Sequence, residues 1–493
     1  MKMNYEEFLN HCKPGVIIPV YRKFNADFIT PVIAYLKLRE AGKHSFLLES
    51  VSRGEQVGRY SFISREPYLV QKFHNGKTIS ISNHTTKIHR EDFFHLLQHR
   101  LANYELAQTD GLPRFTCGAV GFIGYEMVGQ LETLPPPKTD VTNTADALLG
   151  FYNQLVAFDH LKNEVILIAN VFVDEDSDYY QLFQEAQNRL DHLQEKLHRP
   201  LAKPPEFRAD WSTEEAHLAK PDFLNAVTKT REYIYAGDIF QAVISQRFSV
   251  SCSGDPFQVY RALRNINPSP YMFYLDFLDY QVIGSSPEPL IRAQDRVLEI
   301  VPIAGTRKRG KNESEDHRLA KDLLNDPKEL AEHLMLVDLG RNDLGRVSEY
   351  GSVAVYDFQT IQKYSHVMHI ISHVKSRLRQ GLTIIDAFKA VFPAGTVSGA
   401  PKIRAMEIIN ELEPEKRGIY SGAIGYFNYG GNMDLCIGIR TLVASHNRLY
   451  YQAGAGIVAD SIPENEYQET LSKCMALRRA IEQADGGIND FVY

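Results

Sequence analysis

Apolar and polar positions change period several times along the chain, and each change marks an element. Thr30-Pro31 opens a helical pattern that runs through Leu36 and Leu38 and ends near Gly42. Residues 44–50 follow as a short, mostly apolar strand, with Glu49 at its end between polar neighbours, where a carboxylate faces water. Gly118-Ala119-Val120-Gly121-Phe122-Ile123-Gly124-Tyr125 reads as another strand, its small residues marking close approach of a neighbouring backbone. Residues 179–197 return to helical spacing through Leu182, Phe183, Leu190, Leu193 and Leu197. Arg199-Pro200-Leu201-Ala202-Lys203-Pro204-Pro205-Glu206 breaks both periods and is the best linker candidate. Beyond it, strands and helices alternate more tightly: a helix at 222–235, then strands at 239–248, 271–275, 282–283, 298–303 and 353–356. Gly422-Ala423-Ile424-Gly425-Tyr426-Phe427 echoes the strand at Gly118, and both fit central strands of large sheets. The class is α/β or α+β, with extended sheets and helices outside them.

Two of the helical patterns carry carboxylates off their apolar faces. Asp326-Pro327-Lys328-Glu329 has capping-box spacing and opens a stripe of Leu330, Leu334 and Val337, with Glu332 at its edge. Ser461-Ile462-Pro463-Glu464 opens another, whose stripe of Tyr467, Leu471, Cys474 and Met475 leaves Glu466, Glu469 and Lys473 on a different face. On spacing alone, Glu469 and Lys473 form an exposed i,i+4 pair worth under about half a kcal/mol.

Phe392-Pro393-Ala394-Gly395-Thr396-Val397-Ser398-Gly399-Ala400-Pro401-Lys402 breaks regular structure until a helix begins, with Ser398 as its N-cap candidate. Such a turn delivers free N–H groups suited to an anion, or is simply a capped helix; it lacks nucleotide P-loop spacing. Arg440 ends an apolar strand, either as an ion-pair partner or as a fork for a carboxylate. Gly454-Ala455-Gly456 lets a ligand approach the backbone. His366, His369 and His373 have helical spacing, yet no carboxylate or cysteine completes a zinc set nearby.

At 493 residues the chain can bury a large core or two domains, and its formal charge of -7 argues against nucleic acid or an anionic membrane as main partner. Five scattered cysteines without a C-x-x-C pair suit reduced thiols. There is no signal-like segment and no apolar run of about twenty residues, so a cytoplasmic protein that spans no membrane is expected.

Residues 217–485 resemble the chorismate-binding region of the large component of anthranilate synthase, component I. The motifs occur in order: Gly237-Asp238-Ile239-Phe240-Gln241, Gly284-Ser285-Ser286-Pro287-Glu288, Pro302-Ile303-Ala304-Gly305-Thr306-Arg307, Glu332-His333-Leu334-Met335-Leu336-Val337-Asp338-Leu339, Gly395 to Lys402, and Gln452-Ala453-Gly454-Ala455-Gly456. Leu47-Leu48-Glu49-Ser50 resembles the family's tryptophan-sensing strand, and Asn267-Pro268-Ser269-Pro270-Tyr271-Met272-Phe273 its second half. The resemblance implies an α+β fold of two extended sheets packed together with helices outside. It also implies an N-terminal region, 1–205, carrying the sensing strand and packed on a catalytic region, 217–488.

The resemblance further implies amination of chorismate at C2 and pyruvate loss to give anthranilate, the first step of tryptophan biosynthesis. Ala304 stands where relatives with an enzyme nucleophile carry lysine, and Gln241 where water-activating relatives carry lysine, so ammonia itself is the expected nucleophile. An aminodeoxychorismate synthase component and an idle tryptophan-binding sensor are the alternatives. By resemblance, Glu332 and Glu469 are Mg²⁺ ligands, and Tyr420, Arg440 and Gly454, Ala455 and Gly456 hold the enolpyruvyl carboxylate. Gly305 and Thr306 position the ring, Glu288 is the general acid, Thr396 lines the pocket and His369 serves the later steps. Ser50, Pro270, Tyr271 and Met272, with Val51, would hold inhibitory L-tryptophan. No glutaminase nucleophile turn surrounds any cysteine, so a separate glutamine amidotransferase subunit in a hetero-oligomer is the expected ammonia source.

Overall fold

The computed structural model describes residues 2–50, 58–82, 85–136, 138–202, 204–363, 367–485 and 487; Val51, Lys203 and His366 lie outside them. Among these residues, strands assemble into a 13-stranded and a 12-stranded sheet, almost wholly antiparallel. The first sheet runs from Phe207–Ala216 through Gln241–Gly254, Arg448–Ile457, Thr441–Ser445, Tyr280–Ser286 and Tyr271–Asp276 to Ser45–Glu49 and further N-terminal strands. The second runs from Ile303–Lys308 through Val367–Arg377, Val297–Ile300, Pro289–Gln294, Met433–Ile437 and Ala423–Asn428 to Gly118–Ile123 and other N-terminal strands.

Each sheet therefore takes strands from both sides of the 199–206 connection and has one seam where they meet. In the first sheet Met272 pairs with Glu49; in the second Gly425 pairs with Gly121. The two echoing glycine-rich segments are thus neighbours in the middle of one sheet. A Cβ at Gly121 or Gly425 would collide with the backbone of Leu148 or Asp434, which explains the small residues there.

Side chains from the facing sides of the sheets share one core: Val120, Phe122, Leu148 and Ile424 of the second join Phe46, Phe62, Phe273 and Val282 of the first. Each such fully buried apolar side chain contributes roughly 1.5–3 kcal/mol. Helices cover the outside. Tyr179–His198 and Pro463–Asp485 lie on the first sheet, and Pro327–Gly345 packs on the strands Ile303–Lys308 and Val367–Arg377 of the second.

Several local expectations change. Leu334 and Met475 are 47 % and 43 % exposed, so the buried stripes are instead His333, Leu336, Val337, Gly340, Leu344 and Thr470, Cys474, Leu477, Ala480, Ile481, Ala484. The stretch 298–303 divides into Val297–Ile300 and Ile303–Lys308. His369 and His373 sit on a strand, where a spacing of four also shares one face. Ser398 caps no helix: its hydroxyl donates to the Ala394 carbonyl, residues Gly399–Ala400 pair with the strand Gln241–Gly254, and the helix Lys402–Leu412 starts after Pro401. Lys402, at its start, pairs with Asp343.

Glu49 does not face water. Its side chain is 1 % exposed, accepts from Tyr260 Oη at 2.5 Å and from Arg264 Nε at 3.0 Å, and is held by the helix Phe257–Ile266 packed over the strand end. A strand-end position says nothing about a helix arriving from more than two hundred residues away.

Candidate active site

Two helices on different sheets bring two glutamates towards each other. Glu332 comes from Pro327–Gly345 and Glu469 from Pro463–Asp485. Burial raises the Glu332 pKa, and the charges of Glu329 and Glu469 add to the shift while Lys328 and Lys473 oppose it. Glu288, in the short link between Tyr280–Ser286 and Pro289–Gln294, is also raised by burial; Thr396, Lys473 and Arg440 lower it and Glu332 raises it further. These cross-influences mark one shared space. Its wall at Glu288 is tied down by backbone: the Ile437 N–H donates to the Glu288 carbonyl at 3.0 Å and Ser286 Oγ to the Ile437 carbonyl at 2.7 Å.

Arg440 sits in the left-handed backbone region just before Thr441–Ser445, so its side chain leaves the strand line. Its guanidinium donates to the Lys473 carbonyl, and burial lowers its pKa against the pull of Cys474, Glu288, Tyr420 and Glu469. Gly454 and Gly456 lie on Arg448–Ile457 opposite Ser245 and Val243, with Ala455 fully buried between them. A Cβ at Gly454 would stand 2.8 Å from Tyr420 Oη, so glycine keeps space open beside that hydroxyl.

Gly305 falls at the register irregularity that lets Thr306 pair with His369. His369 Nδ1 lies 2.9 Å from the Gly305 carbonyl and 3.1 Å from Thr306 Oγ1. A carbonyl only accepts, so Nδ1 carries the proton and the neutral ring has its lone pair on Nε2. Burial lowers the His369 pKa, Gly305 raises it and Arg440 lowers it further. Thr396, in the turn Gly395–Val397, has a buried hydroxyl near enough to the Glu288 carboxyl to lower its pKa, although among the described residues it meets no partner at full hydrogen-bond geometry.

The donor set suits a divalent cation. The Glu469 charge adds to the cost of ionising Glu332, and a 2+ charge would reverse that cost. Among the described residues no group of three or more His, Cys, Asp or Glu forms a ready cage. A hard cation such as Mg²⁺ is held by one or two carboxylates, with water and substrate oxygens filling its other sites, and Glu332 and Glu469 fit that donor type.

Spacing alone left Lys473 as a surface partner of Glu469. The pair exists, at 2.7 Å, but Lys473 also donates to the Gly454 carbonyl at 2.9 Å and acts on Glu288 and Glu332. Its four-residue offset from Glu469 was the available signal. The histidines do not act together: His373 pairs with Glu299 at 3.0 Å, apart from the His369 contacts.

A model of the chorismate binding enzymes matches residues 44–479. Anthranilate synthase component 1 of Pseudomonas putida is 46% identical over 98% of this chain and 99% of its own, and that of Acetivibrio thermocellus 44% identical over 95% and 96%. The chain belongs to the anthranilate synthase component 1 family of chorismate-binding enzymes. A solved anthranilate synthase component I from Streptococcus pneumoniae superposes with a TM-score of 0.77 at 39% identity, covering 92% of this chain and 98% of that one. The menaquinone-specific isochorismate synthase of Escherichia coli shares the fold, with a TM-score of 0.72 at 18% identity over 97% and 98%.

A second region of interest for the anthranilate synthase component 1 family lies at the seam of the first sheet. Ser50, Pro270, Tyr271 and Met272 line one cavity of about 710 Å³, together with Glu49, Arg292 and Asp434. The Tyr271 hydroxyl is already engaged, donating to Asp434 at 2.7 Å, and Asp434 is bonded to Arg292 at 3.2 Å. These two partners carried no sequence signal, because they come from the other sheet.

Proposed function

We propose that this chain is the chorismate-aminating component of anthranilate synthase, converting chorismate and ammonia to anthranilate, pyruvate and water. The observation that carries the reading is the linked set of Glu469, Lys473, Arg440 and the Gly454 carbonyl, joined by hydrogen bonds and within electrostatic reach of Glu288 and Glu332. Glu332 and Glu469 would hold Mg²⁺, which supplies Lewis-acid neutralisation of the ring carboxylate when bound. Arg440, Tyr420 and the backbone of Gly454, Ala455 and Gly456 would receive the enolpyruvyl carboxylate, and Gly305 and Thr306 the ring edge.

The raised pKa of Glu288 keeps a proton available for the departing 4-hydroxyl, which leaves as water while the ammonia nitrogen bonds to C2 and the ring double bonds shift. Thr396 would steady that carboxyl. His369, neutral with its lone pair on Nε2, would then take the C2 proton as the enolpyruvyl C–O bond breaks; the enolpyruvate gains a proton and leaves as pyruvate. General acid–base transfers of this kind contribute on the order of 10² to 10⁴ each.

Ammonia would come from a separate glutamine amidotransferase subunit in a hetero-oligomer, as the name component 1 of the relatives supports. We place the chain in the cytoplasm; among the described residues no helix is long and apolar enough to cross a membrane. L-Tryptophan would bind the cavity at Ser50, Pro270, Tyr271 and Met272 and lower activity, which requires roughly 1–3 kcal/mol of coupling to the active site.

The test is a fluorescence assay of the purified chain with chorismate, Mg²⁺ and an ammonium salt at alkaline pH. Anthranilate formation abolished by EDTA and lowered by tryptophan is expected. Chorismate consumption without anthranilate would replace the reading by aminodeoxychorismate synthesis. A folded chain that binds tryptophan and consumes nothing would leave only a sensor.

A further inference from the structure

Arg417 is the best-satisfied charged group beneath the site. Its side chain and that of Glu413 are 1 % and 5 % exposed. Arg417 Nε donates to Glu413 Oε2 at 2.8 Å and Nη2 to Oε1 at 2.6 Å, a two-pronged pairing. Nη1 donates to the Val397 carbonyl at 2.6 Å and to Ser421 Oγ at 3.4 Å; Nη2 also donates to the Val243 carbonyl at 2.7 Å. All five guanidinium N–H groups have acceptors.

The plane also stands over the rings of Tyr420 and Tyr125, at 5.6 and 4.8 Å. Glu413 Oε1 accepts in turn from the Ser245 N–H and hydroxyl, and Gln452 Nε2 donates to Ser245 Oγ. One fork therefore fixes the turn containing Thr396, the strand Gln241–Gly254 opposite Gly454 and Gly456, and the loop bearing Tyr420.

A buried ion pair is a poor device for stability, because two charges must lose their water and apolar residues of similar volume often serve as well. What it does supply is direction. A planar fork spans carbonyls on separate segments at fixed angles; a lysine ammonium in the same place is a point charge with three rotatable donors and cannot span them all.

We propose that the Glu413–Arg417 pair is the positioning element of the active site, setting Val397, and through it the Thr396 hydroxyl, against Glu288. Its kinetic consequence rests on the function proposed above; its structural consequence does not.

Two measurements test it. In amide hydrogen exchange, Arg417→Lys and the charge-free double variant Glu413→Met/Arg417→Met should each raise exchange across residues 394–400 by about tenfold or more, with 118–123 unchanged. If the double variant does not fold, the lysine variant carries this measurement. In steady-state kinetics, Arg417→Lys should lower kcat about tenfold or more. In a Thr396→Val background the same change should cost less than about twofold, because the two act through one contact. Unchanged exchange at 394–400 overturns the proposal, as do kinetic effects that simply multiply. A wild-type chain that makes no anthranilate would sink the functional reading, while the exchange result still decides the positioning.

Discussion

Lys473 Nζ lies 2.7 Å from the Glu469 carboxylate, on the first turn away along the same helix. The ammonium thus stands where a cation bound by Glu332 and Glu469 would bring its own charge, and on the proposed function the two would compete. Removing Glu469 and removing Lys473 should act in opposite directions. Glu469→Gln should raise the Mg²⁺ concentration for half-maximal activity by about tenfold or more, having lost one of two charged oxygen donors. Lys473→Met should lower it by a few-fold, since a like charge leaves the site. A Mg²⁺ titration of anthranilate formation reads both, and shifts of the same sign would show that Lys473 does not share the ion's space.

Glu288 is raised by burial, so at neutral pH its proton is held more firmly than that of a surface carboxylate. Glu288→Gln keeps the shape and removes the proton. It should lower kcat by about 10² to 10⁴, with KM for chorismate changed far less, because the glutamine still fills the same wall. Thermal melting should stay within a few degrees of the parent chain, since glutamine has nearly the shape of the protonated carboxyl and carries no charge. A drop of only a few-fold in kcat would remove Glu288 from the acid role.

Ser50 lines the seam cavity, one residue past the Glu49–Met272 pair. Ser50→Phe should fill that space, leaving anthranilate formation intact while abolishing inhibition by tryptophan. Glu49→Ala should do something different. It leaves Tyr260 and Arg264 without their acceptor, and Arg264 is a third exposed, so about 1–3 kcal/mol of stability is lost. Denaturant melts and inhibition curves on the two variants separate a ligand contact from a fold contact. Tryptophan bound by the parent chain with no change in chorismate kinetics would reduce the cavity to a structural role.

Single strands and helices are legible because each carries its own period over many residues, while the pairing of two packed sheets is legible only through the family resemblance. The helix Pro31–Leu38, the strands Ser45–Glu49 and Gly118–Ile123, and the helix Tyr179–His198 fall where apolar spacing and Pro or Gly punctuation put them. What spacing does not encode is which element covers which. The strand-end position of Glu49 points to water because nothing near it in sequence hints at the helix bearing Tyr260 and Arg264. Lys473 looked like a surface partner because its second bond goes to Gly454, on a strand rather than on its own helix. Arg417 and Glu413 carry no sequence signal beyond their i,i+4 spacing, which says nothing about the five acceptors around the guanidinium. Candidate site residues could be named one at a time from the motifs, but their mutual influence is a property of the packed sheets.

Glu126 links stability to pH close to neutrality. Its two carboxylate oxygens accept from the backbone N–H groups of Arg417 at 2.7 Å and Gly418 at 2.9 Å, next to the Arg417 fork. Burial pushes its pKa from 4.5 up to about 7, with those backbone donors pulling the other way. The folded chain therefore holds this proton up to about pH 7, while the unfolded chain releases it near 4.5. Between those values the folded state binds more protons, so the unfolding free energy falls as pH rises, by about 3 kcal/mol across the window. Below 4.5 and above 7 the two states carry the same charge at this position and its contribution is flat. Glu126→Gln removes the titration, so its own stability should lack this component, although losing one backbone acceptor makes it less stable at acid pH. Urea unfolding of both chains at half-unit steps from pH 4 to 8.5 gives the difference directly. The parent's advantage over the variant should shrink steadily from pH 4.5 to 7 and then level off. A difference independent of pH would mean that Glu126 ionises in the folded chain as readily as in the unfolded one.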